Sequence, residues 1–239
     1  MPGPVLLPRS TSRTLRWPGG SARLAPWHGR SDIASLTMAA SRAPSASLVE
    51  RGLEWLRRAG YATVITNALG PNDVGPFMAT GFGERERLHL LQHDLTALVR
   101  PALRTRRVSR RRTNEVLELD QQCFDRFWAF DTASLNEALR ATPQRRFRVI
   151  RAHHTLLGYA ITGRAGKQGY IQRIGVADAA RQHGIGTALV ADALHWLRAH
   201  GVARALVNTQ HGNTAALRLY ERCGFTLLPV ELAVLERSL

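Results

Sequence analysis

Arg181-Gln182-His183-Gly184-Ile185-Gly186 stands directly after a β-branched run and directly before a long apolar-periodic segment. Glycines at 184 and 186 let backbone amides approach a ligand closely. A helix opening here, with Ile185 and Thr187 in its first turn, presents unpaired N–H groups and a positive partial charge. That is an anion seat suited to a pyrophosphate. It is not a dinucleotide fingerprint, because Thr187-Ala188 follow where a third glycine belongs. Gly166-Lys167 lacks the upstream glycine of a Walker loop and reads instead as part of a hairpin turn between Gly163 and Gly169. Further on, Asn213 can cap a helix, and Tyr220 places an ionisable hydroxyl four residues before Gly224-Phe225. His153-His154 occupy a polar turn with no third ligand at sensible spacing, so no metal is assigned.

These residues need strands and helices to hold them. Tyr170–Val176 reads as a strand, Gly184–His200 as a helix with Ile185, Leu189, Ala193, Leu194 and Leu197 inward, and 203–209 as a strand. A helix over 213–223 and a strand from Val230 to Leu235 complete the chain. Upstream, Thr113–Phe124 and Asp131–Leu139 are helical, and Phe147–Ile150 and Leu156–Ile161 are strands. The class is mixed α/β (α+β).

The first half repeats part of this plan. With Leu53 placed on Leu194, seven of fifteen positions are identical: Leu53, Trp55, Leu56, Arg57, Gly60, Ala62 and Asn67. Gly81-Phe82 then matches Gly224-Phe225, with Phe77 opposite Tyr220. Ser47 to Glu50 has capping-box spacing before the first helix, and Tyr61–Thr66 reads as its strand. This copy lacks any Arg-x-x-Gly-x-Gly counterpart and reads as a shortened, inactive relative. The expected layout is a flexible leader over 1–22, a degenerate copy over 23–98, a basic linker and first strand over 99–112, and the complete domain over 104–239.

The whole constellation resembles the GNAT superfamily of acyl-CoA-dependent N-acyltransferases. The motifs are Ile171-x-x-Ile174-x-Val176, Arg181-Gln-His-Gly-Ile-Gly186 and Asn213-x-x-Ala216-x-x-Leu219-Tyr220-x-x-x-Gly224-Phe225. The resemblance implies a twisted, mostly antiparallel sheet whose fourth and fifth strands splay apart, preceded here by the shortened copy. It implies that acetyl-CoA lies in the gap as a pseudo-strand. Ile174, Gly175 and Val176 would bond it through their main chain. Arg181, Gln182, His183, Gly184, Ile185, Gly186 and Thr187 would seat its pyrophosphate, with Asn213 nearby. An amine would attack the thioester directly, and Tyr220 would protonate the leaving thiolate or simply pack against Leu217 and Phe225. A glutamate often found five residues before the motif asparagine is Asn208 here. Asparagine can orient a water but cannot accept a proton, so Asn208 is the second catalytic candidate. His211, Asp125, Asp131 or ordered water remain as bases. Cys123-Phe124 and Trp128 resemble the acceptor wall of ribosomal-protein N-terminal acetyltransferases, although core packing accounts for them equally well.

Composition bounds the rest. The chain has 239 residues and a formal charge of +15, with one lysine among 33 basic residues. Arginine in place of lysine throughout suggests a GC-rich coding bias. Two cysteines exclude a disulfide scaffold, and no apolar run approaches a membrane span. A cytoplasmic monomer or homodimer is expected, with no membrane contact and with nucleic acid disfavoured for want of interleaved aromatics. Seven arginines in the thirteen residues from Arg100 to Arg112 offer a polyanion patch or a solvated linker, and the linker is preferred. The function expected is acetyl transfer to a protein, peptide or small amine, such as an amino sugar or thiol-precursor amine. The alternative is a non-catalytic acyl-CoA sensor.

Overall fold

The computed structural model describes residues 12–40 and 43–239. The chain forms two compact units, one running to His89 and including Pro229–Leu239, the other Leu90–Leu228. Among the described residues no helix is long and apolar enough to cross a membrane.

Unit 1 holds β1 (Arg13–Trp17), β2 (Gly20–Pro26), β3 (Ile33–Ala40), α1 (Ala46–Arg58), β4 (Thr63–Thr66), α2 (Pro71–Met78) and the start of β5 (Gly83–His93). Residues 13–22 are therefore not a flexible leader but form β1, its turn and the start of β2 within unit 1. Residues 1–11 of the expected leader lie outside the described residues. A two-residue turn, Pro18-Gly19, joins β1 to β2, with Trp17 opposite Gly20 and Gly19 at φ 93°. The Pro, Gly and Arg content that suggested a leader is hairpin chemistry, with Leu15, Ala22 and Leu24 facing inward. β1–β2 and β2–β3 are antiparallel, and β3–β4 is parallel.

The core of unit 1 gathers Leu24, Leu36, Leu53, Leu56, Val64 and Phe77. Ser45, not Ser47, caps α1, its side chain accepting from the Leu48 amide at 3.3 Å. Beyond Thr66 the β3–β4 ladder is finished by a side chain. The Asn67 amide donates to Leu36 O at 3.2 Å, and Asn67 Oδ1 accepts from the Met38 amide at 2.8 Å.

Unit 2 adds β6 (Arg106–Arg107), α3 (Thr113–Cys123), α4 (Thr132–Arg140), β7 (Gln144–Ala152), β8 (Thr155–Ala165), β9 (Gln168–Val176), α5 (Ile185–Ala199), β10 (Arg204–Gln210) and α6 (Thr214–Arg222). The final strand, β11 (Thr226–Ser238), starts in this unit and ends in unit 1, where it pairs antiparallel with β4. The expected 104–239 domain thus gives up its last residues to the first unit. Within unit 2, β7–β8 and β8–β9 are antiparallel and β9–β10 is parallel. The pairing sequence of β1–β4 recurs in β7–β10, with α1 and α5 each connecting the parallel pair. Leu194, Leu197, Val190, Val207 and Phe225 fill the core between α5, α6 and the sheet. Val116, Leu119, Leu135, Tyr159 and Ile161 fill the opposite face under α3 and α4.

His93, at the end of β5, is buried at 2% exposure and packs edge-on against Phe225 with centroids 5.2 Å apart. Its Nδ1 accepts from the Leu95 amide at 2.8 Å. Burial lowers its pKa, and the exposed Asp94 carboxylate at 3.7 Å only partly offsets this. An imidazole held below its unfolded value of about 6.5 contributes stability above that pH, and loses it as pH falls through the folded value. We expect urea midpoints of the wild type to fall between pH 7 and pH 5 by more than those of His93→Gln. Parallel slopes for the two proteins would show that this imidazole is not the titrating group.

Candidate functional site

The site begins where β9 leaves β10. Their register covers only Gln168↔Arg204, Gly169↔Ala205 and Tyr170↔Leu206. β9 continues to Val176 and remains paired with β8 as far as Gly158↔Val176. From Ile171 onward the other edge of β9 therefore carries backbone groups that β10 does not satisfy. A strand edge of this kind accepts an extended ligand through main-chain hydrogen bonds. Ile174, Gly175 and Val176 all lie on this stretch. Gly175 is glycine because a Cβ there would sit 2.5 Å from Tyr159 Cε1.

The loop after β9 leads into α5. Asp178–Ala180 form a 3-10 turn, and Arg181 pairs with Asp178 at 2.6 Å. Gln182 and Gly184 both adopt positive φ, 64° and 74°. His183 Nδ1 bonds Arg181 O at 2.7 Å. Residues 181–184 are exposed, Ile185 is buried, and Gly186 and Thr187 are half-buried. Gly184 is the cap of α5 and gives no side-chain cap bond, and no acidic residue lies in the first turn. The helix thus starts with its amides open, as an anion seat requires. A Cβ on Gly184 would meet nothing within 4 Å, so its constraint is the positive φ rather than crowding. Gly186 is constrained differently, since a Cβ there would lie 2.9 Å from Leu219 Cδ2. The positive φ of Gln182 has no signal in its residue type.

Tyr220 lies on α6, buried among Leu217, Leu219 and Phe225, with its ring 5.6 Å from Phe225. Burial pushes its hydroxyl well above the usual phenol range, so it stays protonated. Asn213 caps α6, its Oδ1 accepting from the Ala216 amide at 3.1 Å. Asn208 is exposed on β10, and among the described residues its side chain makes no bond to β9. The other proposed bases are occupied elsewhere or unremarkable. Asp131 Oδ1 caps α4 through the Ser134 amide, and Asp125 Oδ1 accepts from the Phe127 amide, each at 2.8 Å. His211 is half-buried in the turn after β10.

The structure also brings together residues that sequence reading did not connect. Asp120, on the buried side of α3, is 1% exposed. Arg173 Nε donates to its Oδ2 at 2.8 Å and Nη2 to its Oδ1 at 3.0 Å. The Tyr159 hydroxyl donates to the same carboxylate, and the Phe130 amide does so at 2.6 Å. Arg173 Nη2 also donates to Trp128 O at 2.8 Å. Its guanidinium carbon lies 3.4 Å from the Phe124 ring centroid and 4.0 Å from that of Phe130. Arg173 thereby ties the α3–α4 segment to β9. A bulge makes this possible: Ile161 faces Arg173 and Thr162 faces Ile171, leaving Gln172 without a partner in the ladder. A carboxylate within the apolar stripe of Val116, Leu117 and Leu119 was the available signal, because such a charge demands a buried partner.

Cys123 closes α3 beside this cluster. Its Sγ donates to Val176 O at 3.3 Å. Burial, reinforced by Asp120, pushes its thiol up to about 11, so it is a protonated donor rather than a nucleophile.

Residues 113–225 match the Acetyltransferase (GNAT) family. Over 54 residues the chain is 41% identical to a mycothiol acetyltransferase of Corynebacterium glutamicum, covering 23% of this chain and 18% of that protein. Over 85 residues it is 35% identical to the mycothiol acetyltransferase of Rhodococcus erythropolis, covering 33% and 28%. The chain therefore spans less than a third of these relatives' length. Among solved structures, a tandem GNAT protein from the clavulanic acid biosynthesis pathway superposes with a TM-score of 0.65 at 19% identity, covering 92% of this chain and 79% of that one. A GCN5-related N-acetyltransferase from Sphaerobacter thermophilus gives 0.62 at 17%, covering 92% and 76%.

Removing one member of a buried ion pair leaves the other charge uncompensated, at a cost of about 3–5 kcal/mol. Asp120→Asn should lower the free energy of unfolding by an amount in that range, read by urea denaturation. A loss below about 1 kcal/mol, the range of exposed pairs, would mean that Arg173 is not held by this carboxylate.

Proposed function

On the match of residues 113–225 to the Acetyltransferase (GNAT) family, we propose that unit 2 is an acetyltransferase domain that transfers acetyl from acetyl-CoA to an amine. The single observation that carries this reading is the parting of β9 from β10 beside a helix start left open at Gly184. The residues present fit the donor. The free edge of Ile174–Val176 matches the pantetheine amides, and residues 182–187 offer main-chain donors to the pyrophosphate.

In the proposed reaction the amine nitrogen bonds to the thioester carbon and the C–S bond breaks. The leaving sulfur takes a proton, for which the protonated Tyr220 hydroxyl is the assigned source. The amine proton leaves to water, with Asn208 orienting that water rather than accepting the proton. A backbone amide of β9 is the assigned donor to the tetrahedral oxyanion. The segment anchored by Arg173, with Phe124 and Trp128, lies against the same strand and forms the acceptor wall. Of the acceptor classes, the relatives named mycothiol acetyltransferase favour a thiol-precursor amine over a peptide terminus. Unit 1 is a degenerate second copy in this reading. Asn67 fills the parting that β9 and β10 leave open, Ser45 caps the helix start, and Phe77 lacks the hydroxyl of Tyr220.

The alternative is an acyl-CoA sensor without turnover, favoured by the absence of a proton acceptor at Asn208. Calorimetric titration with acetyl-CoA tests the shared premise. One site per chain is expected, weakened at least tenfold in Gly184→Val because the branched residue resists positive φ. Unchanged binding in that variant would remove the anion-seat assignment. Tyr220→Phe should lower kcat roughly ten- to a thousandfold while leaving acetyl-CoA affinity in place, the scale of a lost general acid. A wild type that binds acetyl-CoA but acetylates no member of an amine panel would favour the sensor.

A further inference from the structure

A second charged concavity lies on the α3 face of unit 2, away from the parted strands. It is a cavity of about 260 Å³, lined by Arg106, Ser109, Arg112, Val116, Val149 and Arg151 among others. Arg106 stands opposite Val149 in the antiparallel β6–β7 pair, so the two side chains share a face. Val116 of α3 and Val149 belong to one apolar cluster, which supplies the floor.

The charge balance is lopsided. Glu115 is the acidic group paired here, 4.0 Å from Arg112 and in contact with Arg151. Arg151 Nη2 also donates to His154 O at 2.6 Å. Arg151 is 13% exposed, yet its Nε is buried and has no partner. Neither Arg106 nor Ser109 Oγ has a hydrogen-bond partner among the described residues. The exposed guanidiniums of Arg106 and Arg112 can bond an anion oxygen in the cavity. The site is distinct from the anion seat at α5. Three strand spacings, about 14 Å, separate the β6–β7 pair from the β9–β10 gap. α5 also packs on the other face, around Ile150, Ala160 and Leu189.

We propose that this cavity binds a small phosphate monoester. Arg106 and Arg112, with the charge of Arg151 beside them, would take the phosphate, and the valine floor would take the organic part. A solvated linker would require neither the apolar floor nor the concave volume. The size and the apolar floor favour a small ester over a nucleic-acid backbone, which would track an open groove.

The test uses the full chain with its valine methyls labelled and assigned. Inorganic phosphate, phenyl phosphate and chloride are titrated at matched ionic strength. The Val116 and Val149 methyl shifts should saturate with both phosphates, severalfold tighter for phenyl phosphate, and should not saturate with chloride. Arg106→Gln should weaken the response at least tenfold, and so should Arg106→Gln/Arg112→Gln, with melting temperatures near wild type. Arg110→Gln, beside the cavity but outside its lining, should leave the response unchanged. Equal affinity for the two phosphates would reduce the site to free phosphate and overturn the ester. A response shared by chloride, or one surviving in both Arg106 variants, would show surface charge alone and overturn the site. Because the methyl probes lie on the α3 face, the result is independent of acetyl-CoA binding at α5.

Discussion

A backbone edge that stays unpaired inside a fold is the constraint on which the rest of this protein turns. Buried amides and carbonyls demand partners, so parallel neighbours that part must be closed by something. Unit 1 closes its parting with Asn67, whose side chain bonds the Met38 amide and prolongs the ladder by one rung. Unit 2 carries an asparagine at the matching place, Asn208, yet there the side chain is exposed. The helix starts differ in the same sense: the Ser45 side chain satisfies an amide of α1, whereas Gly184 gives those of α5 no side-chain cap. The same order of strand pairing thus occurs in both units, its parallel pair prolonged by a side chain in unit 1 and left short in unit 2.

An open edge is useful only if it does not collapse, and unit 2 braces it from behind. β9 is paired with β8 from Gln168 to Val176, interrupted only by the bulge at Gln172, so its position does not depend on β10. The Asp120–Arg173 pair then pins the strand to α3 from the opposite face. It is satisfied on nearly every side: two oxygens of Asp120, a tyrosine hydroxyl, two main-chain groups and two aromatic rings. A buried charge pair adds little net stability over apolar packing, but it fixes geometry, because its members tolerate no other arrangement. Here that geometry sets the distance between the α3–α4 segment and the strand edge.

What could be read in advance followed local chemistry. The helix cap at Asn213, the hairpin turn between Gly163 and Gly169 and the helix start at Gly184 all follow from local rules spanning a few residues. The parting of β9 from β10 was legible only by resemblance, since nothing in Tyr170–Val176 announces where pairing ends. Residues 13–22 misled because hairpin and leader share a composition; only the inward alternation of Leu15, Ala22 and Leu24 separates them. The Arg173 cluster escaped because its partners stand 53, 45 and 43 positions away and meet through a bulge at Gln172. Gly184 was legible as to place but not as to cause, since its surroundings are empty and its dihedral angle is the constraint.

Tyr220 and Phe77 hold matching places in the two units and differ by one oxygen. Phe77 is fully buried and meets Phe82 edge-on with centroids 5.3 Å apart; Tyr220 meets Phe225 at 5.6 Å in the same sequence context. The packing is conserved between the copies, so packing cannot be the reason for the extra oxygen. Burying a hydroxyl costs free energy unless something compensates it. The same burial keeps that hydroxyl protonated far above neutral pH, which a proton donor to a thiolate requires. In the proposed transfer that oxygen is the proton source. It is present in the unit whose strands part and absent from the unit whose strands are sealed.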